Sequence, residues 1–171
     1  DYMGLNNDKT ICQVGCLMSS FSMALAGFGI DVPIVPDTQP NNTVSTAFSM
    51  TQNDKTGATP KSVNAFLRVN NGYADGTSNL NEATACEIDP EHIIWPSDGM
   101  HRKSDLTPYT IREYLNEDPP RVIIANVNNG QHFVLVTDIL DDDDTLVVNN
   151  SAQGAHGSPT YSLSVLSLIH I

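Results

Sequence analysis

The stretch that most restricts the fold is residues 121–151, "RVIIANVNNGQHFVLVTDILDDDDTLVVNNS". Runs rich in Val, Ile, Leu and Phe are joined first by "NNGQ" and then by an Asp-rich turn. β-branched and aromatic residues bounded by Asn, Gly and Asp are the pattern of strands linked by short turns, so this region predicts an antiparallel meander. Antiparallel pairing has a positional consequence. His132 opens the middle run and Asn150 stands at the exit of the next, so a hairpin through the Asp-rich turn returns Asn150 to the level of His132.

The chain before this meander reads as helical. Leu17, Met18, Phe21, Ala24 and Leu25 recur at helical spacing, and "GFG" at Gly27 to Gly29 closes that element. An extended Pro- and Asn-rich loop, "DVPIVPDTQPNNT", follows. In "TPKSVNAFLRVNNGY", Thr59 is a cap, Pro60 suits the first turn, Val63, Phe66 and Leu67 form the apolar face, and "NNG" ends the helix. A third helix is expected in "TPYTIREYLNED", capped by Thr107 and ended by Pro119. "HIIWP" reads as a short buried strand or turn, and "TYSLSVLSLIHI" as a last strand or strand–helix pair. Helices first and an antiparallel sheet afterwards predict an α+β fold. With 171 residues and neither an internal repeat nor a long linker, one domain over 1–171 is expected.

The formal charge of −12 argues against nucleic acid and anionic membrane surfaces as partners, because both reward Lys and Arg. No run reaches the ~18 apolar residues of a membrane span. The chain opens on Asp1 rather than Met, and "DYMGLNNDKT" shows no leader pattern, which suggests a processed product. Together with glycosylation sequons at Asn41 and Asn149, it points to a secreted or extracellular glycoprotein.

Three cysteines raise three possibilities: a metal clip, a disulfide or a nucleophile. Zinc needs about four ligands, and Cys12 and Cys16 have no further Cys or His at suitable spacing, so neither metal nor cofactor is expected. In an oxidising compartment, three cysteines can form one bridge and leave one thiol. Cys16 follows Gly15 at the head of a helix, where the positive end of the helix dipole and unpaired N–H groups favour negative charge. Cys12, outside that helix, is the expected disulfide partner of Cys86, while Cys16 is either a candidate nucleophile or a small buried residue.

A thiol nucleophile needs a base held by a third group. His132, at the start of "HFVLV" after a tight turn, is the candidate, and Asn150 can accept its ring N–H. His92, His101 and His156 read as surface residues, and His170 lies one residue from the end.

A Gly-Cys at the head of an apolar helix ("QVGCLMSSFSMAL"), then "TPKSVNAFL…NNGY", then "NNGQHFVLVTD" and "LVVNNSA" form an ordered series. Over roughly residues 8 to 168, this order resembles the papain-like cysteine peptidases of family 39, the bacteriocin-leader peptidases and their stand-alone relatives. The resemblance implies a papain-like fold, with a nucleophile helix packed on an antiparallel sheet. It implies a thiol hydrolase of peptide or amide bonds, with Cys16 as nucleophile, His132 as general base and acid, and Asn150 where the family usually has Asp. The family usually carries an oxyanion-hole Gln about six residues before the nucleophile. Thr10 stands there instead, and Gln13 lies closer.

The implied partner of such an enzyme is a peptide substrate. The alternative function is a catalytically inactive papain-like domain serving as an extracellular structural or binding module, with other protein subunits as partners. Other features have plainer readings. "DDDD" at Asp141 to Asp144 lacks calcium-loop spacing and reads as a solvated turn. Tyr73, Trp95 and Tyr109 read as core aromatics, and Ser19, Ser20 and Ser22 as helix-packing residues.

Overall fold

The computed structural model describes residues 2–4, 9–35, 54–74, 77–95, 97, 100–102, 106–141, 145–152, 158–163 and 168–170. It is a mixed structure of helices and antiparallel strands, as an α+β fold requires. Where the sequence suggests one domain, the chain gathers into two compact units, Asp1–Trp95 and Pro96–Ile171, each with its own apolar core.

The first unit contains α1 (Ile11–Val14), α2 (Cys16–Gly27), α3 (Pro60–Val69) and α4 (Glu82–Cys86), with a small antiparallel ribbon of β1 (Val32–Pro33) and β2 (Lys55–Thr56). Met18 and Leu25 of α2 and Val63, Phe66 and Leu67 of α3 enter one core with Met3 and Tyr73. α2 stops as its sequence predicts. The Ile30 N–H donates to the Leu25 carbonyl at 2.9 Å and the Gly29 N–H to that of Ala26 at 3.2 Å, with Gly29 at φ 68°. This is the left-handed helix ending that glycine favours. At the start of α3 the Thr59 hydroxyl accepts the Ser62 N–H at 3.1 Å, with Pro60 in the first turn.

The second unit is a six-stranded antiparallel sheet, counted among the described residues, with one helix, α5 (Pro108–Leu115), whose buried Ile111 joins the sheet's core. Its strands are β3 (Met100–Arg102), β4 (Ile123–Val127), β5 (His132–Ile139), β6 (Thr145–Asn149), β7 (Thr160–Ser162) and β8 (Leu168–His170). They lie in the order β3-β8-β4-β5-β6-β7. The predicted meander is therefore the β4–β5–β6 part of the sheet. Its first turn holds Asn128, Asn129 and Gly130 at positive φ, a conformation that Asn and Gly tolerate best.

One irregularity in β5 governs which way His132 faces. Val136 pairs with Val148, but Asp138 pairs with Val147 and Ile139 with Leu146, so Thr137 is an extra residue in a β-bulge. Val136 and Ile139 are both buried although they lie three positions apart, an odd spacing that regular alternation would send to opposite faces. The bulge is what lets both ends of β5 turn core-forming side chains to one face. Without it, alignment from Ile139 would put His132, Val134 and Val136 on the face away from Val148.

Three expectations are corrected. The described part of "HIIWP" takes the turn rather than the strand, at His92, and is only partly buried: Ile93 packs against the first core while Ile94 is 82% exposed. The third helix ends at Leu115, three residues earlier than the pattern suggested, where the Asn116 amide donates to the Arg112 carbonyl at 2.7 Å. The tail is two separate strands, β7 and β8, and β8 inserts between β3 and β4. Among the described residues no helix is long and apolar enough to cross a membrane.

Candidate active site

The Gly-Cys pair is built by backbone geometry. Gly15 ends α1 and begins α2: its N–H donates to the Ile11 carbonyl at 2.8 Å, and its carbonyl accepts the Ser19 N–H at 2.8 Å. A Cβ on Gly15 would fall 2.5 Å from the Ile11 oxygen and 2.9 Å from Ile11 Cγ2, so only glycine fits without displacement. Cys16 is thereby set, half-buried, at the first position of α2, with no acidic residue in that turn. The early N–H groups of a helix have no intrahelical acceptor, which makes this turn a place where an oxyanion can be received.

Thr10 and Gln13 serve the start of α1. The Thr10 N–H donates to Gln13 Oε1 at 2.9 Å, and the Thr10 hydroxyl lies 3.2 Å from the same oxygen. The Gln13 amide is thus folded back on the helix cap, a use of Gln three residues after Thr that the capping-box pattern makes readable in sequence.

In the second unit the sequence-predicted pair meets: His132 Nε2 lies 2.7 Å from Asn150 Oδ1. Both side chains are half-buried. The direction of that bond follows from the other partners of Asn150. Its Oδ1 also accepts the Ala152 backbone N–H at 2.9 Å. Its Nδ2 donates to the Ser158 carbonyl at 3.1 Å and to the Tyr161 hydroxyl oxygen at 3.1 Å. A backbone N–H only donates and a carbonyl only accepts, so Ala152 and Ser158 together fix which end of the amide is oxygen. His132 Nε2 must then carry a proton, and Nδ1 is the basic nitrogen of the neutral ring. Sequence reasoning missed Tyr161 and Ser158, because their contact with Asn150 depends on how β7 continues the sheet beside β6.

The remaining candidates sort themselves by burial and partners. Cys12 is exposed, Cys16 and Cys86 are half-buried, and all are free thiols. No cysteine pair lies at disulfide distance, so the expected Cys12–Cys86 bridge is not made. The Cys86 sulfur instead accepts the Trp95 backbone N–H, and burial, with the nearby Glu82 charge, pushes its thiol up against the lowering effect of that bond. His92 is a surface residue, with Nδ1 3.0 Å from Asp89; that hydrogen bond first, then the charges of His92 and Lys55, hold the Asp89 carboxyl below its usual range. Ser19, Ser20 and Ser22 are buried in α2, and the Ser22 hydroxyl donates to the Ser19 carbonyl at 2.9 Å. Of the three aromatics expected in the core, Tyr73 is buried, whereas Trp95 is 37% and Tyr109 72% exposed. Asn149 is exposed at the end of β6. Asn41, His156 and Asp142 to Asp144 lie outside the described residues, as do the side chains of His101 and His170.

Cys16 thus belongs to the first unit, and His132 and Asn150 to the second. Compared with family models, with curated proteins and with solved structures, the chain matches none of them.

Proposed function

We propose that the protein is a thiol-dependent hydrolase of papain-like organisation that cleaves a peptide or amide bond with Cys16, His132 and Asn150. The observation that carries this reading is the His132–Asn150 pair, in which a fully hydrogen-bonded amide commits Nε2 as donor and leaves Nδ1 as base. In this mechanism Nδ1 takes the Cys16 proton as the sulfur attacks the substrate carbonyl. The N–H groups at the head of α2 hold the oxyanion. Collapse of the tetrahedral adduct breaks the C–N bond, and His132 returns the proton to the leaving amine. Water, deprotonated by the same nitrogen, then hydrolyses the thioester and restores the thiol. Throughout, the Asn150 oxygen keeps the imidazolium oriented.

The setting of the reaction in this reading is extracellular, and the exposed Asn149 sequon supports it. Side chains alternate along a strand, so a glycan on Asn149 would leave from the face opposite to that of Asn150. A second reading, an inactive papain-like module that binds other protein subunits, draws on Gln13. Its amide is occupied at the cap of α1, and Thr10 takes the place of the expected oxyanion donor.

Iodoacetamide labelling at mildly acidic pH separates the two readings. Because Cys12 is free and exposed, it serves as an internal reference. The hydrolase reading expects Cys16 to react at least about tenfold faster than Cys12, with the advantage lost in His132→Ala. Equal rates at Cys12 and Cys16, unchanged by that substitution, would overturn it in favour of the inactive module.

A further inference from the structure

Asn150 has two amide protons and an oxygen with two lone pairs, and each has a partner. Two of those partners, the Ala152 N–H and the Ser158 carbonyl, belong to the backbone. They fix which end of the amide is oxygen. Both lie in the segment that follows Asn150 in sequence. The Tyr161 hydroxyl is a different kind of partner. It belongs to β7, and its backbone pairs with Leu146, four residues before Asn150 on β6.

Directly paired residues share a face of a sheet, and so do residues two and four apart on one strand. Tyr161, Leu146, Val148 and Asn150 therefore lie on the face that carries the core of the second unit. The Tyr161 ring packs against that core, which holds it in place independently of its hydroxyl. A ring fixed by packing presents its oxygen 3.1 Å from Asn150 Nδ2. The chain of contacts runs from a packed ring, through an amide, to the proton-bearing nitrogen of His132.

We propose that Tyr161 is a positioning residue: its hydroxyl restrains the Asn150 amide and thereby holds His132 in the form that carries its proton on Nε2. The catalytic consequence of this role rests on the hydrolase reading above, but the role itself does not. It is a property of the second unit and can be measured on the ring.

The test is Tyr161→Phe, which keeps the packed ring and removes only the oxygen, read by nitrogen NMR of the His132 imidazole in the full chain. In the wild type the Nε2 proton is expected to be bound and slow to exchange. In Tyr161→Phe its exchange is expected to rise about tenfold, with the Nδ1-protonated form appearing, as loss of one hydrogen bond in a restraining chain predicts. Hydrogen exchange of the two Asn150 amide protons in the unaltered protein is the companion measurement, and it depends on no variant folding. Protection of both protons supports the proposal. Free exchange of both, or an unaltered His132 ring in Tyr161→Phe, overturns it. Cys16 alkylation in the same variant distinguishes the two claims. A changed ring beside an inert Cys16 keeps the positioning role and removes the hydrolase, whereas a reactive, His132-dependent Cys16 with an unchanged ring does the reverse.

Discussion

Each unit contains an asparagine joined to a tyrosine, and the two pairs are wired in opposite senses. In the first unit the Tyr73 hydroxyl donates to Asn64 Oδ1 at 2.8 Å, while Asn64 Nδ2 donates to the Tyr2 carbonyl at 2.9 Å. In the second, the amide donates to the Tyr161 oxygen and its own oxygen is turned to His132. Burial differs as well. Asn64 is 0% and Tyr73 2% exposed, whereas Asn150 and Tyr161 are half-buried. The amide oxygen is what the two arrangements spend differently. Where tyrosine donates to that oxygen, the amide's protons face the other way and tie down a backbone segment, here Tyr2–Gly4 with the help of Arg68. Where tyrosine takes a proton, the oxygen stays available for an imidazole.

The largest expected effect comes from breaking the buried pair. Asn64→Ala should cost about 3 kcal/mol in denaturant unfolding, because it leaves the Tyr73 hydroxyl buried without this acceptor and opens a small cavity. The His132 ring signals should not change. If they do, the two pairs are coupled and the contrast fails.

Gly15→Ala probes the backbone-built half of the candidate site, and about 2 kcal/mol is expected from the forced displacement at Ile11. Cys16 alkylation should fall with it, while the Nε2 proton of His132 stays as it was.

Tyr73→Phe should have the smallest effect at neutral pH, about 1 kcal/mol for one net hydrogen bond. Its sharper signature is alkaline. Burial raises the Tyr73 ionisation above its ordinary value of 10.0, against a weaker lowering effect of Arg68. The neutral phenol therefore contributes stability that is complete below that ordinary value and is lost as the pH climbs toward the raised one. Melting curves above the ordinary value should fall less steeply in Tyr73→Phe than in the wild type. Parallel curves would show that Tyr73 is not the buried group described.

What the sequence disclosed was mostly local. Thr59 with Pro60, Thr107 with Pro108, and the Gly29 ending are decided within a turn or two, and each appears where its residues indicate. The His132–Asn150 pair was legible because a hairpin converts spacing into proximity. Other features needed information from elsewhere in the chain. Ile93 and Ile94 resemble a strand, yet the segment has no described partner strand and Ile94 is solvent-exposed. Cysteine number and compartment suggest a Cys12–Cys86 bridge, but neither determines where a Cβ points. The contact of Tyr161 with Asn150 is set by the β6–β7 register, which no short motif records. Thr10 and Gln13 have the spacing of a capping box, and the structure uses Gln13 in that way.

The bulge at Thr137 makes the two ends of β5 independent in phase. A change in length on the Ile139 side of the bulge leaves the pairing of His132 to Val136 in phase, provided one unpaired residue remains to reset the alternation. A single residue gained or lost between His132 and Val136 has no such buffer and would turn the imidazole to the other side of the sheet. The tolerance of β5 to insertion is therefore one-sided, greater beyond Val136 than between His132 and Val136.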